Sequence, residues 1–459
     1  MARPTSLLSG GRTGSYTEAS MSYAAAVDQL NAMVPELAPQ PGRPRRKFSL
    51  DEIRVLLGEL GNPQESFKSV LIAGTNGKGS TAATLASILS ESGVRTGLYT
   101  SPHLERPNER IRVEGTEIAD EAFAAEFFRV QETAERLVRA GTLPQHPSYF
   151  EVLTALAFLH FTAEKVTVAV LEVGMGGRLD ATNVVEPMLS VITDISLDHM
   201  EWLGPTITAI AREKAGILRR GGTLVTLPQH PEANQVLGEV AVELGVTVVS
   251  VAGFVPPAAA RGAYRVEVLG EEIVVDSPLQ GAHQHRNLAL AMAAAVELKE
   301  RFGLPISLQA IESGIRKTRW PGRLERIEAG GVRWILDVAH NPAGAWALRA
   351  GVKSALGARP PGTLIFSCLR DKPVTEMAQI LFPLFDRVIV VPIHSARGVP
   401  LAELKEAARG AGVQAEAAES VREAIELAKA AGGTVVVSGS VYLVGEVRPL
   451  LVAESGGVR

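Results

Sequence analysis

Gly74-Thr75-Asn76-Gly77-Lys78-Gly79-Ser80 follows the apolar run Ser69-Val70-Leu71-Ile72-Ala73 and opens a helix-prone stretch from Ser80 to Glu91. The order is strand, glycine loop, helix. The spacer of the usual phosphate loop is shortened, because only Thr75 and Asn76 separate Gly74 from Gly77-Lys78. The physics is unchanged. Glycines let backbone N–H groups close around phosphate oxygens, the helix N-terminus adds partial positive charge, and Lys78 supplies a point charge. Ser80 offers a hydroxyl to the Mg²⁺ that accompanies a nucleoside triphosphate. The bland alternative is a Gly-rich turn before an ordinary helix. The flanking strand and helix, with the Lys-Gly-Ser ending, favour phosphate binding and point to ATP.

Composition narrows the class. A chain of 459 residues accommodates two or three domains with full hydrophobic cores. The 46 basic residues against 50 acidic ones give a net charge of −4, which argues against nucleic acid or an anionic membrane surface as the main partner. The single cysteine, Cys368, excludes an internal disulfide and a Cys-rich metal site. No apolar run approaches the roughly 18 residues of a membrane-spanning helix. The segment up to Ser20 lacks the apolar centre of a secretory signal. A soluble, cytoplasmic product is expected, with residues 1–45 as a flexible leader.

Apolar β-rich runs alternate with helical patterns, the sign of parallel sheets covered by helices. Thr96–Thr100, Val166–Val173 and Leu189–Thr193 read as strands. Helices are expected near Ile118–Arg139, Tyr149–Thr162, Thr206–Leu218 and His285–Arg301, and a hairpin with a Gly-Glu-Glu turn within Arg261–Val275. The pattern breaks at Thr318-Arg319-Trp320-Pro321-Gly322-Arg323. Beyond it, Val332–Val338, Thr363–Ser367, Arg387–Val391 and Thr434–Ser438 read as strands separated by helices. The expected fold is α/β: an N-terminal P-loop parallel-sheet ATPase domain over 46–318, a linker over 319–325, and a C-terminal Rossmann-like α/β domain over 326–459. Two such domains leave a cleft suited to a two-substrate reaction.

Glu172 closes a buried strand before Gly174-Met175-Gly176-Gly177, where doubly wound sheets hold a metal, though a solvated Glu in a Gly-rich turn reads equally well. His199 ends Leu197-Asp198-His199 after the next strand. Mg²⁺ prefers oxygen, so a structural histidine is the commoner outcome. Lys214, within Arg212-Glu213-Lys214-Ala215-Gly216, reads as a solvated helix lysine. Asp337-Val338-Ala339-His340-Asn341-Pro342 ends a strand at a helix entry, which suits cleft residues, while Asn341 also suits a simple cap.

These features, in this order, resemble the ATP-dependent Mur ligase superfamily, and most of all folylpolyglutamate synthase with its bifunctional dihydrofolate synthase form. The resemblance runs from about Phe48 to Glu446 and includes Ser101-Pro102-His103-Leu104, Asn108-Glu109-Arg110, Tyr149-Phe150-Glu151, Leu171–Asn183, Arg286-Asn287, Pro321-Gly322-Arg323 and Gly439-Ser440. It implies roles that spacing does not give. Thr75, Asn76, Gly77, Lys78, Gly79 and Ser80 would hold the triphosphate, with Asn287, Arg323 and Asp337 at the rest of the nucleotide. Ser101, Glu172 and His199 match Mg²⁺ positions, and Lys214 matches a carbamylated lysine beside a second ion. Tyr149, Phe150, Glu151, Leu179, Asp180 and Ala181 match a pterin pocket. His340 and Ser440 fall where glutamate is handled, and Lys78, Lys214 and His340 form the implied catalytic set. The implied substrates are ATP, L-glutamate and folate or dihydropteroate, with a monomeric enzyme.

The implied reaction is amide formation through an acyl phosphate, and no protein nucleophile is required. A cell-wall Mur ligase needs a uridine-nucleotide domain before the P-loop, and only about seventy residues precede it here. A P-loop switch or transport ATPase leaves the Asp337–Pro342 turn unexplained. A catalytically dead folate-binding regulator sits poorly with intact Lys78, Glu172, His199 and Lys214.

Overall fold

A computed structural model describes residues 21–33, 49–257, 260, 262–356 and 362–456. Among them the first sheet has eight strands: β1 (Lys68–Ala73), β2 (Thr96–Tyr99), β3 (Ile111–Val113), β4 (Thr116–Glu117), β5 (Val168–Glu172), β6 (Leu189–Ile192), β7 (Thr223–Thr226) and β8 (Thr247–Ser250). Their order across the sheet is β4-β3-β2-β5-β1-β6-β7-β8. All pairs from β2 to β8 are parallel, and β3 and β4 add an antiparallel edge. The chain leaves β1 towards β2, returns to lay β5 against β1, and then places β6 on the other side. The carboxyl ends of β5, β1 and β6 therefore converge at a switch in connection direction, where open α/β sheets bind ligands.

Alternation within β1 divides the core. Val70 and Ile72 pack on helices Lys78–Glu91, Ala282–Phe302 and Leu308–Lys317, whereas Leu71 and Ala73 face helices Asp120–Arg139 and Tyr149–Ala163. The helix after the glycine loop is buried on most sides, which explains its run of Ala, Ser and Thr. The backbone of its Ile88 lies so close to Gly314 that a Cβ there would meet Ile88 N at 2.6 Å.

A hairpin follows, β9 (Tyr264–Val268) and β10 (Glu271–Val275). Its turn is Leu269-Gly270, both at positive φ, and the expected turn residues Glu271 and Glu272 are already in the strand. Arg261, the expected start, lies outside the described residues.

The second sheet comprises β11 (Glu325–Ala329), β12 (Val332–Leu336), β13 (Thr363–Phe366), β14 (Arg387–Val390), β15 (Ala415–Ala417) and β16 (Thr434–Ser438), ordered β11-β12-β16-β13-β14-β15. It is parallel except for the β11 edge, and it is covered on both faces. The α/β expectation holds in both halves. β11 begins at Glu325, inside the stretch read as linker.

One expectation needs correction. Within the supposed flexible leader, Tyr23–Ala32 is a helix capped by Ser22, with Ala26 and Leu30 fully buried against the first core. The Ser-Tyr-Ala-Ala-Ala composition hid an apolar face of only two strong positions. Residues 1–20 and 34–48 lie outside the described residues, as does the Lys47–Phe48 end of the stretch preceding the P-loop.

Candidate active site

Gly74 and Gly77 are fixed by close approach. A Cβ on Gly74 would fall 1.8 Å from Thr193 Oγ1, and one on Gly77 would fall 2.2 Å from Asn287 Oδ1. The N–H groups of Thr75 and Asn76 both donate to Asp194 O, at 2.8 and 3.3 Å, and Thr75 Oγ1 donates to Ser196 O at 3.0 Å. These bonds clamp the loop to the segment after β6. The amides of Thr75 and Asn76 are therefore taken up by the Asp194 carbonyl. The N–H groups of Gly77, Lys78, Gly79 and Ser80 make no backbone hydrogen bond among the described residues, which leaves four donors at the helix N-terminus suited to an anion. Lys78 Nζ caps Gly74 O and Thr75 O at 3.1 and 3.2 Å, poised at the loop mouth.

Around this loop lies a cavity of about 420 Å³, lined from both sheets. Glu172 is fully buried at the end of β5 and accepts from Ser101 N at 3.1 Å. Burial raises its pKa, opposed chiefly by Lys78. His199 sits at positive φ in the same cavity, its pKa lowered to about 4 by burial and then by Lys372, so the imidazole is neutral. Lys214 is not the solvated lysine its helix suggested. It is 4% exposed, its Nζ donates to Gly74 O at 2.7 Å, and burial with nearby Lys78 lowers its pKa to about 7.

The second sheet closes the cavity. Asp337 Oδ2 accepts from Leu324 N at 3.0 Å and Oδ1 from Ala339 N at 2.9 Å, so this carboxylate shapes the turn beside the half-buried Arg323. His340 bonds Val338 O through Nδ1 at 2.9 Å, and its Nε2 stands 3.8 Å from Asp198 Oδ2. Burial, then Lys372, holds this imidazole below its ordinary pKa.

Asn341 does more than cap its helix. Its Oδ1 accepts from Gly344 N at 2.8 Å and from Asn76 Nδ2 at 3.3 Å, while its Nδ2 donates to Asn76 Oδ1 at 3.0 Å and to Asp198 Oδ2 at 3.1 Å. Every hydrogen-bonding position of this amide is in use. Lys372 Nζ reaches Asp198 Oδ1 at 2.6 Å, with side-chain exposures of 5% and 9%. P-loop, post-β6 segment and second sheet are thus joined by a buried polar clasp. Sequence reading missed Asp198 and Lys372 as members. A lysine in the loop Arg370-Asp371-Lys372 carries no local sign of burial, and only tertiary contact reveals it. His283 and Gln284, at the start of helix Ala282–Phe302, line the cavity with Asn287 and were also missed.

The residues read as a pterin pocket separate. Glu151 and Ser148 form a reciprocal capping box, Phe150 packs in the core beside Tyr99, and Asp180 accepts from Thr182 N and Met175 N to fasten the glycine turn. Ala181 is buried, and only Tyr149 and Leu179 keep partial exposure. None of them lines the 420 Å³ cavity. Ser440 caps helix Val441–Glu454 by accepting from Tyr442 N at 3.0 Å, while the adjacent Val441 faces the cavity. Among the described residues no three His, Cys, Asp or Glu side chains cluster as a protein-only metal cage. A site sharing its ion with nucleotide phosphates needs fewer protein ligands.

A phosphate loop at a sheet switch point, facing a second α/β sheet across a cavity lined by Glu172, His199 and Lys214, defines an ATP-dependent ligase of the Mur type. Residues 72–295 match the Mur ligase middle domain, and residues 322–441 match the Mur ligase glutamate ligase domain. The chain is 36% identical over 414 residues to the dihydrofolate synthase/folylpolyglutamate synthase of Bacillus subtilis, covering 88% of this chain and 95% of that protein. It superposes on Mycobacterium tuberculosis folylpolyglutamate synthase complexed with ADP and AMPPCP with a TM-score of 0.83 at 33% identity, covering 94% of this chain and 99% of that one. Against Escherichia coli FolC in complex with DHPP and ADP the TM-score is 0.81 at 31% identity, with 94% and 98% coverage. The chain belongs to the folylpolyglutamate synthase family of the Mur ligase superfamily. No helix among the described residues is long and apolar enough to cross a membrane.

Proposed function

We propose that this ligase joins L-glutamate to folates, and also to dihydropteroate, consuming ATP and acting as a cytoplasmic monomer. The observation that carries the reading is the convergence in one cavity of the free amides of Gly77–Ser80, the buried Glu172 and the buried, near-neutral Lys214. The substrate carboxylate attacks the γ-phosphorus, ADP leaves, and an acyl phosphate forms. The glutamate amine then attacks the acyl carbon, and phosphate departs from the tetrahedral intermediate. Lys78 and the Gly77–Ser80 amides hold the phosphates in line and neutralise charge that grows during transfer. His340, anchored through Nδ1, presents Nε2 to the cavity, where the incoming ammonium loses its proton. Closure of the second sheet over the first excludes water from the acyl phosphate.

Two Mg²⁺ ions fit the donor set. Glu172 has no basic side chain within ion-pair distance among the described residues, and Ser80, Ser101 and neutral His199 share its cavity. When bound, Mg²⁺ supplies charge neutralisation and Lewis-acid polarisation at the γ-phosphate. Lys214 is suited to carbamylation: its Nζ in the neutral form attacks CO₂, an N–C bond forms, one proton leaves, and the resulting anionic carbamate would offer oxygen donors to a second ion. At the pterin side, Tyr149 and Leu179 are the members of the expected set with accessible surface, while Phe150, Glu151, Asp180 and Ala181 hold the walls behind them. Asn287, Arg323 and Asp337 frame the nucleotide. The 46–318 and 326–459 units act as the two jaws.

Purified enzyme with ATP and glutamate should extend both tetrahydrofolate and dihydropteroate. Product from tetrahydrofolate alone leaves a monofunctional synthase, and product from neither refutes the reading.

A further inference from the structure

β6 and β7 pair in parallel as far as Ile192 and Thr226. Two residues further on in the same register, Asp194 would stand opposite Pro228. A parallel ladder continued there needs the N–H of residue 228 for Thr193 O and the carbonyl of residue 228 for Ile195 N. Proline has no N–H, so the ladder ends. The Pro228 carbonyl is taken as well, since it accepts from Arg286 Nη2 at 3.0 Å.

One side-chain amide replaces both partners. Gln229 Oε1 accepts from Ile195 N at 2.8 Å, and its Nε2 donates to Thr193 O at 3.0 Å and to Thr226 Oγ1 at 3.1 Å. Gln229 thus imitates a strand neighbour for Asp194, gripping the peptide groups on either side of it. Satisfying two backbone groups is ordinary structural work; what Asp194 carries is not. Its carbonyl holds the amides of Thr75 and Asn76, and its carboxylate is gripped by Nε and Nη2 of Arg286, the residue before Asn287. A displaced Asp194 carbonyl therefore drags Thr75 and Asn76, and with them the free N–H groups that begin at Gly77. Asp194, Ile195 and Ser196 line the cavity, whereas Gln229 stands behind that wall and is not a lining residue.

We propose that Gln229 is a positioning residue for the nucleotide: its amide fixes Asp194, and Asp194 O fixes the phosphate loop on the triphosphate. This rests on the ligase reading above, in which that loop holds ATP. Gln229 touches no substrate. It acts through two peptide groups of the segment after β6, so its loss weakens nucleotide binding and leaves the organic substrates alone.

The test titrates wild type and Gln229→Met with AMPPCP and Mg²⁺ in a calorimeter and measures KM for ATP, glutamate and tetrahydrofolate. Methionine keeps the length of the side chain and removes all three hydrogen bonds. The proposal expects the AMPPCP Kd and the ATP KM to rise threefold or more, with the glutamate and tetrahydrofolate KM values within twofold of wild type. A Kd raised less than threefold in a folded Gln229→Met protein overturns it. So does a rise shared by all three substrates, or a loss confined to kcat, since general loosening of the fold gives either. Wild type that binds AMPPCP but forms no amide refutes the ligase reading alone, and the Kd comparison still decides the role of Gln229. Wild type that binds no AMPPCP refutes both. If Gln229→Met loses its thermal transition, Gln229→Glu carries the test, because it keeps the acceptor for Ile195 N and removes the donor to Thr193 O. The same threefold rise in AMPPCP Kd then supports the proposal, and a smaller one overturns it.

Discussion

Two lysines lie beside the same loop carbonyl and do different work. Lys78 Nζ bonds Gly74 O and Thr75 O at the cavity mouth, so Lys78→Ala removes a charge but little packing. ADP formation should fall on the order of 10²–10³-fold, the scale of losing one oriented donor to a transition state. A coupled ADP assay and a melting curve check this, with the Tm expected within a few degrees of wild type. Lys214 bonds Gly74 O from full burial. Its folded pKa of about 7 lies below an unfolded value of about 10.4, so the unfolded chain holds more protons between those limits. Stability of the unmodified protein therefore rises with pH across that window, and the penalty of burying Lys214 is greatest below about pH 7. Lys214→Met should raise the Tm at pH 7 while abolishing turnover, which calorimetry and the ADP assay separate. A lower Tm would contradict the burial argument. Lys78 was legible in the sequence because phosphate loops impose a local pattern. Lys214 was not, because burial of one lysine in a mixed helix depends on the neighbouring β1 loop. Only family resemblance flagged it.

Elements were legible where periodicity was strong and failed where strands were short or at edges. β1, β5, β6 and the helix Lys78–Glu91 follow from apolar runs, with Gly74 closing β1 and Gly77 and Gly93 flanking the helix, whereas β8 is largely exposed and β15 has three residues, too little pattern to separate from loop. At the expected pterin residues a motif is equally silent on orientation. Motif matching does not say whether Glu151 faces a ligand or its own helix N-terminus, and here it completes a capping box. The packing of the C-terminal helix Val441–Glu454 is equally invisible in sequence. A Cβ on Gly445 would lie 2.1 Å from Leu104 O, so the helix rests directly on the backbone of the Ser101–Arg110 loop. Arg448 reinforces the seat through Glu105 at 2.7 Å and Glu325 at 3.0 Å. Gly445→Ala is expected to destabilise by about 1–3 kcal/mol through overpacking and to displace the loop that carries Ser101. Denaturant titration checks the first effect, and a weakened Mg²⁺ response in the ADP assay checks the second.

At the scale of the whole molecule, the reaction requires two sheets to meet over one phosphate loop. The clasp of Asn76, Asp198, Asn341 and Lys372 makes that meeting specific. Desolvation alone would raise the Asp198 pKa, yet Lys372, His199 and His340 together pull it well below the ordinary carboxylate range. Its stabilising contribution is thus complete above an unfolded pKa of about 3.9 and is withdrawn as pH falls below that value. Lys372→Met leaves the buried Asp198 charge without its partner, at a cost on the order of 3–5 kcal/mol. The jaws should then close poorly, and the ratio of ADP released to amide formed should exceed one as water reaches the acyl phosphate. A ratio that stays at one would show that the clasp does not guard the intermediate. The central claim is that ATP activates a folate carboxylate before glutamate attacks. It is tested most directly with tetrahydrofolate labelled by ¹⁸O in its reacting carboxylate. The account predicts one ¹⁸O atom delivered to inorganic phosphate for each amide formed, and unlabelled phosphate would contradict it.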